Sequence, residues 1–296
     1  MNDLEQLETA WEREPFVSTD LGDFDDVFSV GLAQQLIYGS LPLASLRMFR
    51  AGKELPSDLV ARSRAHCGRS RQRLVDGDAV ARYVGDGATL VLEELQIYSP
   101  EVANFAAAIH DETGYDVECT AFLTPRDAYG VAPHYDTDSV LVRQVYGSKR
   151  WSVRRPVRQW PSEWDLEVVE TEPVLDVVLH PGDCLYIPRG FVHAGVTTDE
   201  ASAHLSVGLH DATWGAALCG LLAEAAKEVE PLREAVPPRF AAVDHAALFR
   251  QRRDALAARL AVLEWGDVDL DRVRTPVTAP AVPVQPKLAA ALGREP

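Results

Sequence analysis

The stretch between residues 117 and 208 most constrains the fold, because it consists of short β-forming runs separated by turn residues. Such runs, bounded by Gly, Pro and Asp, predict strands. Gly147-Ser148 is expected to close a hairpin, and Pro181-Gly182-Asp183 is a second turn signal. Many short strands at this spacing are typical of a double-sheet barrel or jelly roll. The predicted strands are 117–123, 139–146, 150–154, 175–179, 183–187 and 202–209.

Three residues of this β-rich stretch could hold a metal ion. A strand sends alternate side chains to one face, so His134 and Asp136 are expected to project together. His193 ends the pattern Pro-Gly-Asp-x-x-x-Ile-Pro-x-Gly-x-x-His, and a second strand could bring it across the barrel. Two imidazoles and one carboxylate leave coordination positions open, as in non-haem Fe(II) oxygenases. The alternative, two ordinary buried histidines, is disfavoured by this context.

Lys149 follows the turn at Gly147 and could return to the same barrel mouth. An ammonium there would pair with a carboxylate of a bound co-substrate. The alternative is a solvent-exposed lysine in a turn. From the residues alone, the exposed lysine is slightly favoured.

Helical patterns lie on both sides of the β-rich stretch. Pro42 interrupts the first pattern, and Gly114 is expected to end the helix that begins at Pro100. Beyond the barrel, Pro237-Pro238 separates two apolar-striped helices. The elements predicted outside the barrel are helices over 31–49, 100–110, 213–230 and 246–263, and a strand over 88–93.

These patterns predict a mainly β, α+β fold in four segments. The apolar stripes of the last two helices exceed what one barrel face needs, so we expect them to form a homodimer interface. The segments are a mixed helical region packed on the barrel over 1–116, the catalytic barrel over 117–210, a helical dimerisation region over 211–275 and a Pro/Ala-rich tail over 276–296.

Composition limits the partners of this chain. A net charge of −16 and a pI near 4.9 argue against direct nucleic-acid binding, which needs Lys and Arg to neutralise phosphates. An acidic surface favours solubility, or it steers in a basic partner such as an Arg- or Lys-rich protein segment. The arginines within 62–73 are a local exception, and we expect them on an exposed helix or loop.

We expect neither a membrane span nor a secretory signal in this sequence. No run approaches the roughly 20 apolar residues that a membrane span requires, so no membrane association is expected. The acidic start lacks the layout of a secretory signal. The cysteines form no Cys-x-x-Cys pair, which excludes zinc-ribbon and thioredoxin-type sites. We therefore expect a cytoplasmic location.

Several motifs, spread over residues 12–240, resemble those of the JmjC/cupin-like Fe(II)- and 2-oxoglutarate-dependent oxygenases. Within that family the resemblance is to the ribosomal oxygenase branch, which hydroxylates side chains of ribosomal proteins. The motifs are Thr124-Pro125, Ala132-Pro-His-Tyr-Asp136, Gln144-Val-Tyr-Gly-Ser-Lys-Arg-Trp151, the segment from Pro181 to His193, and His204-Leu-Ser-Val-Gly208.

The resemblance implies a double-stranded β-helix (jelly-roll or cupin) core with N-terminal helices and a C-terminal helical dimerisation segment. It also implies a hydroxylase in which Fe(II) is bound by the catalytic residues His134, Asp136 and His193. Lys149 would bind the C5 carboxylate of 2-oxoglutarate, and O2 would be the other co-substrate. The implied substrate is a side chain of a protein or peptide, including a basic or ribosomal protein.

The sequence also departs from the family pattern. Where ribosomal oxygenases usually carry Asn and Tyr, this chain has Thr120 and Phe122, so the tyrosine ring is kept and its hydroxyl is lost. Gly208 stands where some members use Ser. Phe122 and Ser206 are expected beside the co-substrate. The part after the helical region is shorter than the winged-helix module of family members.

Two alternatives stay open at this point. One is a metal-dependent cupin isomerase or dioxygenase that needs no 2-oxoglutarate. Such enzymes commonly carry a second His where this chain has Asp136, together with a nearby Glu, which argues against this class. The other is a non-catalytic dimeric scaffold of JmjC type, which the intact His-x-Asp and His pattern disfavours.

Overall fold

The computed structural model describes residues 3–66, 70–161, 168, 171–210, 212–238 and 245–267. These residues fall into two compact units that divide after His210. The predicted tail at 276–296 lies outside the described residues. Within the part that is described, no helix has the length and apolar character that crossing a bilayer requires.

The first unit is built mainly of strands. An eight-stranded sheet has the order β1-β11-β8-β13-β7-β6-β2-β3, a second sheet has the order β10-β9-β12, and β4 and β5 form a separate pair. The strands are β1 (Phe16–Ser18), β2 (Leu46–Arg50), β3 (Lys53–Glu54), β4 (Ala61–His66), β5 (Ser70–Val75), β6 (Thr89–Leu92), β7 (Asp116–Thr124), β8 (Ser139–Tyr146), β9 (Lys149–Arg154), β10 (Pro173–Leu179), β11 (Cys184–Ile187), β12 (Val192–Thr197) and β13 (Ser202–His210).

The helices flank the barrel in the sequence. In the first unit α5 begins with Pro100 in its first turn, where a missing N–H costs nothing, and ends at Gly114 with φ 73°. The second unit contains α6 and α7. The helices are α1 (Asp3–Ala10), α2 (Val30–Tyr38), α3 (Gly77–Gly85), α4 (Leu95–Tyr98), α5 (Pro100–Thr113), α6 (Trp214–Glu228) and α7 (Ala246–Leu260), with short 3-10 turns at Leu43–Ser45, Ser57–Val60, Glu230–Leu232 and Trp265–Asp267.

Alternation along β13 divides its side chains between a core and a cavity. Leu205, Val207 and Leu209 are buried in a hydrophobic cluster shared with the N-terminal helices. The intervening residues, among them His204 and His210, line a cavity on the other face. A second cluster joins the two sheets and contains Val142, Trp151, Val153, Leu179, Leu185, Ile187 and Phe191. The period of two in a strand thus separates the packed side from the functional side.

Most predicted elements of the first unit are confirmed. All six predicted barrel strands are present, with boundaries shifted by at most two residues, and so are the strand near 88–93 and the helix at 100–110. The expected second strand that carries His193 is β12. The mainly β, cupin-like fold class is therefore confirmed.

Three local predictions are wrong. The helix predicted over 31–49 ends at Tyr38, and Leu46–Arg50 is instead strand β2, which pairs with β6. The arginine-rich stretch is the β4–β5 hairpin rather than a helix or loop. Gly147-Ser148 closes no hairpin, because β8 and β9 belong to different sheets. In each case the pairing partner that decides the structure cannot be read from local spacing.

Candidate active site

The structure brings His134, Asp136 and His193 together. One ligand atom from each lies within 4.8 Å of the other two. His134 Nε2 is 3.8 Å from Asp136 Oδ1, and His193 Nε2 is 3.5 Å from Asp136 Oδ2. A single ion placed between them could be reached by all three side chains, as the sequence pattern predicted.

Backbone hydrogen bonds, rather than a regular strand, position the first two residues. His134 and His193 form an isolated antiparallel bridge, with N–O distances of 3.2 and 2.8 Å. Gly190 N donates to Asp136 O at 2.8 Å. Tyr135 between them is buried, so side chains still alternate although no regular strand forms there. The predicted shared face is therefore produced by tertiary contacts.

The orientation of both imidazoles is fixed by main-chain carbonyls. His134 Nδ1 lies 2.9 Å from Ala132 O, and His193 Nδ1 lies 3.0 Å from Phe191 O. Because a carbonyl only accepts hydrogen bonds, each Nδ1 carries a hydrogen, and Nε2 is the nitrogen that faces Asp136. Burial, followed by the nearby His134, lowers the pKa of His193 to about 4, so the ring is neutral. Two imidazoles and one carboxylate fit a divalent first-row metal ion.

The three residues line a cavity of about 550 Å³ whose two ends differ in character. Lys149, Trp151 and His204 lie at a buried end, each at most 6% exposed. Glu118 and Asp138 lie at a half-buried end. The lining therefore includes an enclosed group with a lysine and a more accessible group with two carboxylates.

Lys149 is buried, whereas the residues alone slightly favoured a solvent-exposed lysine. It is 3% exposed, and its Nζ lies 3.5 Å from Thr124 Oγ1 and 5.2 Å from the centroid of the Trp151 ring. Within the described residues, no carboxylate forms an ion pair with Nζ. Burial lowers the pKa of Lys149 to about 7, which is the expected cost of an enclosed ammonium without a counter-ion.

Phe122 and Ser206 both line the cavity. The Phe122 ring stacks on His204, with centroids 4.9 Å apart and an interplanar angle of 5°. Ser206 follows on the same face of β13 and pairs with Thr120 of β7. The two residues expected beside a co-substrate are thus adjacent to the same chamber as Lys149. Thr120 and Gly208, where the chain departs from the family pattern, line it as well.

An ionic cluster at the more accessible end was not found by sequence reasoning. His210 Nδ1 lies 3.4 Å from Asp138 Oδ2, and its Nε2 lies 3.5 Å from Glu118 Oε2. Burial lowers the pKa of His210, but hydrogen bonds and charges of the two carboxylates outweigh it and raise the pKa to about 9. Alternation along β7 and β13 would have placed Glu118 and His210 on the cavity face.

Sequence reasoning also did not identify Gly195 as a residue of the cavity. It pairs with Trp151 across β9 and β12, and it lines the cavity. A Cβ added at this position would lie 2.6 Å from Lys149 Cε and 3.2 Å from the Trp151 ring. The absence of a side chain at 195 therefore gives Lys149 and Trp151 their space.

Residues 92–216 match the family model of the JmjC domain. The predicted resemblance to the JmjC oxygenases is confirmed. Rat ribosomal oxygenase 1 is 39% identical over 140 residues, which cover 44% of this chain and 23% of the relative. Human ribosomal oxygenase 1 is 34% identical over 195 residues, which cover 60% of this chain and 30% of the relative. A third relative, from Drosophila persimilis, is called bifunctional lysine-specific demethylase and histidyl-hydroxylase NO66. It is 41% identical over 95 residues, which cover 31% of this chain and 14% of the relative.

The match therefore spans less than a third of the length of each of these relatives. Among solved structures, E. coli YcfD superposes with a TM-score of 0.60 at 20% identity, covering 89% of this chain and 69% of YcfD. A second structure is that of YcfD, a ribosomal oxygenase, in complex with cobalt and 2-oxoglutarate. It gives a TM-score of 0.58 at 19% identity and covers 90% of this chain and 68% of YcfD. At this level of identity the likeness shows the shared fold.

Proposed function

We propose that this chain is an Fe(II)- and 2-oxoglutarate-dependent hydroxylase acting on a side chain of a protein or peptide. The observation that carries the proposal is one cavity that holds both a His-Asp-His ligand set and a buried ammonium with which no carboxylate of the described residues is paired. The similarity to proteins called ribosomal oxygenase and histidyl-hydroxylase supports it. So does the shared fold with a protein solved in complex with cobalt and 2-oxoglutarate.

In this proposal His134, Asp136 and His193 hold Fe(II) and leave positions open for the co-substrates. The bound metal supplies the oxidative chemistry in which O2 and 2-oxoglutarate become succinate and CO2 while a substrate C–H group becomes C–OH. The Ala132 and Phe191 carbonyls hold both histidines in the tautomer that can bind metal.

Lys149 binds the C5 carboxylate of 2-oxoglutarate in this arrangement. A carboxylate supplies the counter-ion that the buried ammonium lacks, which returns the lysine to its charged state. Phe122 forms an apolar wall of the co-substrate chamber, and the Ser206 hydroxyl, on the same face of β13 as His204, offers a hydrogen bond. The neighbouring Thr124 hydroxyl accepts from Lys149 Nζ at 3.5 Å and so helps to position the ammonium.

The acidic end of the cavity suits a basic substrate side chain. Glu118 and Asp138 together carry two negative charges against the single charge of His210. Glu93, also in the lining, is paired with Arg47 at 3.1 Å. The net charge of −16 would steer a basic protein, including a ribosomal protein, towards this opening. A cytoplasmic enzyme would meet such substrates.

The domain organisation and the homodimer are part of the same proposal. The four segments are 1–116, 117–210, 211–275 and 276–296, with dimerisation assigned to the third. On α6, Trp214, Leu218 and Leu222 follow a helical spacing of four and are 71%, 59% and 39% exposed. Three apolar side chains on one exposed helical stripe are typical of an interface.

Anaerobic titration tests the enzymatic proposal. Protein loaded with Fe(II) should develop a visible metal-to-ligand charge-transfer band when 2-oxoglutarate is added, and exposure to O2 should then release succinate. A cupin enzyme independent of 2-oxoglutarate would bind the metal without the band. A non-catalytic scaffold would show neither band nor succinate. Either of these two results would overturn the proposal.

Intact-mass measurement tests the substrate class. Incubation with basic ribosomal proteins from the source cell should add about 16 Da, the mass of one oxygen atom, only when 2-oxoglutarate is present. Acidic proteins of similar size serve as the control. Modification of acidic proteins alone would contradict the role assigned to Glu118 and Asp138.

A further inference from the structure

The loop of residues 188–191, between β11 and β12, contacts two of the three candidate metal ligands. Gly190 N donates a hydrogen bond to Asp136 O at 2.8 Å. Phe191 O lies 3.0 Å from His193 Nδ1 and accepts its hydrogen. A displacement of the 188–191 loop would therefore change the position of one ligand relative to the other.

Arg189 connects this loop to the N-terminal part of the chain. Its guanidinium forms an ion pair with the carboxylate of Glu12, and the two side chains are only 12% and 23% exposed. The backbone N–H of Arg189 donates to the completely buried Ser139 Oγ at 3.4 Å. A partly buried ion pair is screened less than a surface pair, and removing one partner leaves the other charge unpaired in the protein. The ion pair therefore restrains the 188–191 loop.

Glu12 has a backbone conformation that glutamate rarely adopts. It follows α1, and its φ of 54° lies in the left-handed region, where glycine is the usual residue after a helix. Its N–H donates to the Tyr186 hydroxyl at 3.1 Å, and that hydroxyl donates to Ser139 Oγ at 3.4 Å. Residues held in such conformations are frequent at functional sites. The ion pair with Arg189 gives a reason for a glutamate where the backbone favours glycine.

Aromatic packing holds the segment that carries Glu12 against the barrel. Trp11 stacks on Tyr186 and on Tyr115, with ring centroids 5.7 and 5.2 Å apart. Phe16 of β1 pairs with Tyr186 in the sheet, and their rings are 5.4 Å apart. Because Tyr186 is completely buried, these contacts place the segment on the packed core of the first unit. The glutamate is therefore a fixed anchor for the 188–191 loop.

We propose that Glu12 is a positioning residue for the metal centre, acting through Arg189 on the 188–191 loop. This inference rests on the metal centre of the proposed function. Glu12 lies outside residues 92–216, the part of the chain that matches the JmjC family model. Full metal affinity then requires a segment that the motifs around the metal ligands do not include.

Calorimetry with Co(II) as the probe tests the proposal without requiring turnover. Glu12→Gln and Arg189→Gln each remove the ion pair. Each should weaken Co(II) binding about tenfold, the lower end of what losing an outer contact of a metal ligand costs. The visible absorption of bound Co(II) should change too, because its bands depend on ligand geometry. Asp176→Asn is the matched control, since it removes an ion pair with Arg150 at 2.8 Å and neither residue lines the cavity. It should alter neither measurement.

Three further variants separate a shared ion pair from independent effects. Glu12→Gln combined with Arg189→Gln should weaken Co(II) binding about as much as either change alone, because both remove the same interaction. Arg189→Lys keeps a positive charge and should retain more affinity than Arg189→Gln. Tyr186→Phe keeps the stacked ring and removes the hydroxyl bonded to Glu12 N, so it should weaken Co(II) binding by a smaller factor.

The outcomes separate this inference from the proposed function. Unchanged Co(II) affinity and absorption in both glutamine variants would overturn the inference. Losses that multiply in the double variant would also overturn it, because the two residues would then act separately. An equal loss in Asp176→Asn would do the same, since it would reflect general destabilisation.

Chemical denaturation of the metal-free proteins shows which variants are folded under the conditions of the titration. If a glutamine variant does not fold, Tyr186→Phe decides, and an unchanged Co(II) affinity there would overturn the inference. If the unmodified protein binds no Co(II), the proposed function itself fails.

Discussion

At the residue scale, the two histidines of the candidate metal centre are oriented in the same way. In each, Nδ1 donates to the carbonyl two residues earlier in the chain, at Ala132 and Phe191. This local contact fixes the ring and directs Nε2 towards Asp136. A metal ion would therefore find its ligands already positioned, since outer contacts of this kind set ligand orientation.

Substitution of a proposed metal ligand should remove activity and leave the fold. His134→Ala and Asp136→Ala are each expected to abolish succinate formation from 2-oxoglutarate. Both side chains are partly exposed, so the free energy of unfolding of the metal-free protein should change by less than about 1 kcal/mol. Thermal unfolding and a succinate assay provide the measurements, and retained turnover would refute the ligand assignment.

Lys149→Met should separate co-substrate binding from metal binding. Methionine fills the buried volume but has no charge, so the dissociation constant for 2-oxoglutarate should rise about tenfold or more. The affinity for Co(II) should stay within about twofold, since Lys149 is not among the three metal-ligating residues. Calorimetry measures both, and unchanged 2-oxoglutarate affinity would contradict the role of the ammonium.

Gly195→Ala should narrow the buried end of the cavity. The added Cβ would lie 2.6 Å from Lys149 Cε, and such overpacking costs about 1–3 kcal/mol. We expect weaker 2-oxoglutarate binding with little change in Co(II) binding. Gly85→Ala is the control, because a Cβ there meets nothing within 4 Å. Equal 2-oxoglutarate affinity in the two variants would show that the space at 195 is not needed.

At the element scale, the crossing from β8 to β9 organises the site. β8 pairs with β11 and β13 in the large sheet, whereas β9 pairs with β10 and β12 in the small one. The turn at Gly147 therefore carries the chain between sheets and delivers Lys149 to the cavity side of β9. A hairpin at this turn would have kept both strands in one sheet.

Gly147→Ala should destabilise this crossing strongly. Gly147 has φ 58°, and a Cβ there would lie 1.8 Å from Ala201 O, a backbone atom that cannot rotate away. Gly87→Ala is the control, since Gly87 also has positive φ, 89°, but meets nothing within 4 Å. The control should lose about 1–2 kcal/mol from backbone conformation alone, and Gly147→Ala should lose clearly more. Chemical denaturation measures both, and equal losses would contradict the steric argument.

At the scale of the whole molecule, the second unit differs from the barrel in how little it buries. In α6 only Ala217 and Ala225 are buried, and none of the described α7 side chains is. The α7 residues Leu248, Leu256 and Leu260 are only half-buried. Helices with this little burial gain stability from a partner surface.

A homodimer is therefore expected in solution. Sedimentation equilibrium should give twice the mass of 32.5 kDa at micromolar concentration. Leu218→Glu, in the middle of the exposed α6 stripe, should shift the protein towards monomer. Glu224→Gln on the same helix is a control outside the apolar stripe. A monomer for the unmodified protein at micromolar concentration would end the dimer proposal.

The sequence by itself determined most strands of the barrel and the identity of the His-Asp-His set. These features depend on local chemistry, since β-forming runs alternate with Gly and Pro turns, and since the His-x-Asp and Pro-Gly-Asp...His patterns can be read directly from the sequence. The helix at 100–110 was predictable for the same reason, because Pro100 and Gly114 mark its ends within a few residues.

Only the tertiary structure decided which strands share a sheet and which side chains share the cavity. Leu46–Arg50 became a strand because β6 pairs with it, and Lys149 became buried because the chain crosses between sheets at Gly147. Trp151 and His204 share a chamber only because β9 and β13 both face it. Contacts between residues distant in the chain set these features, and local spacing carries no record of such contacts.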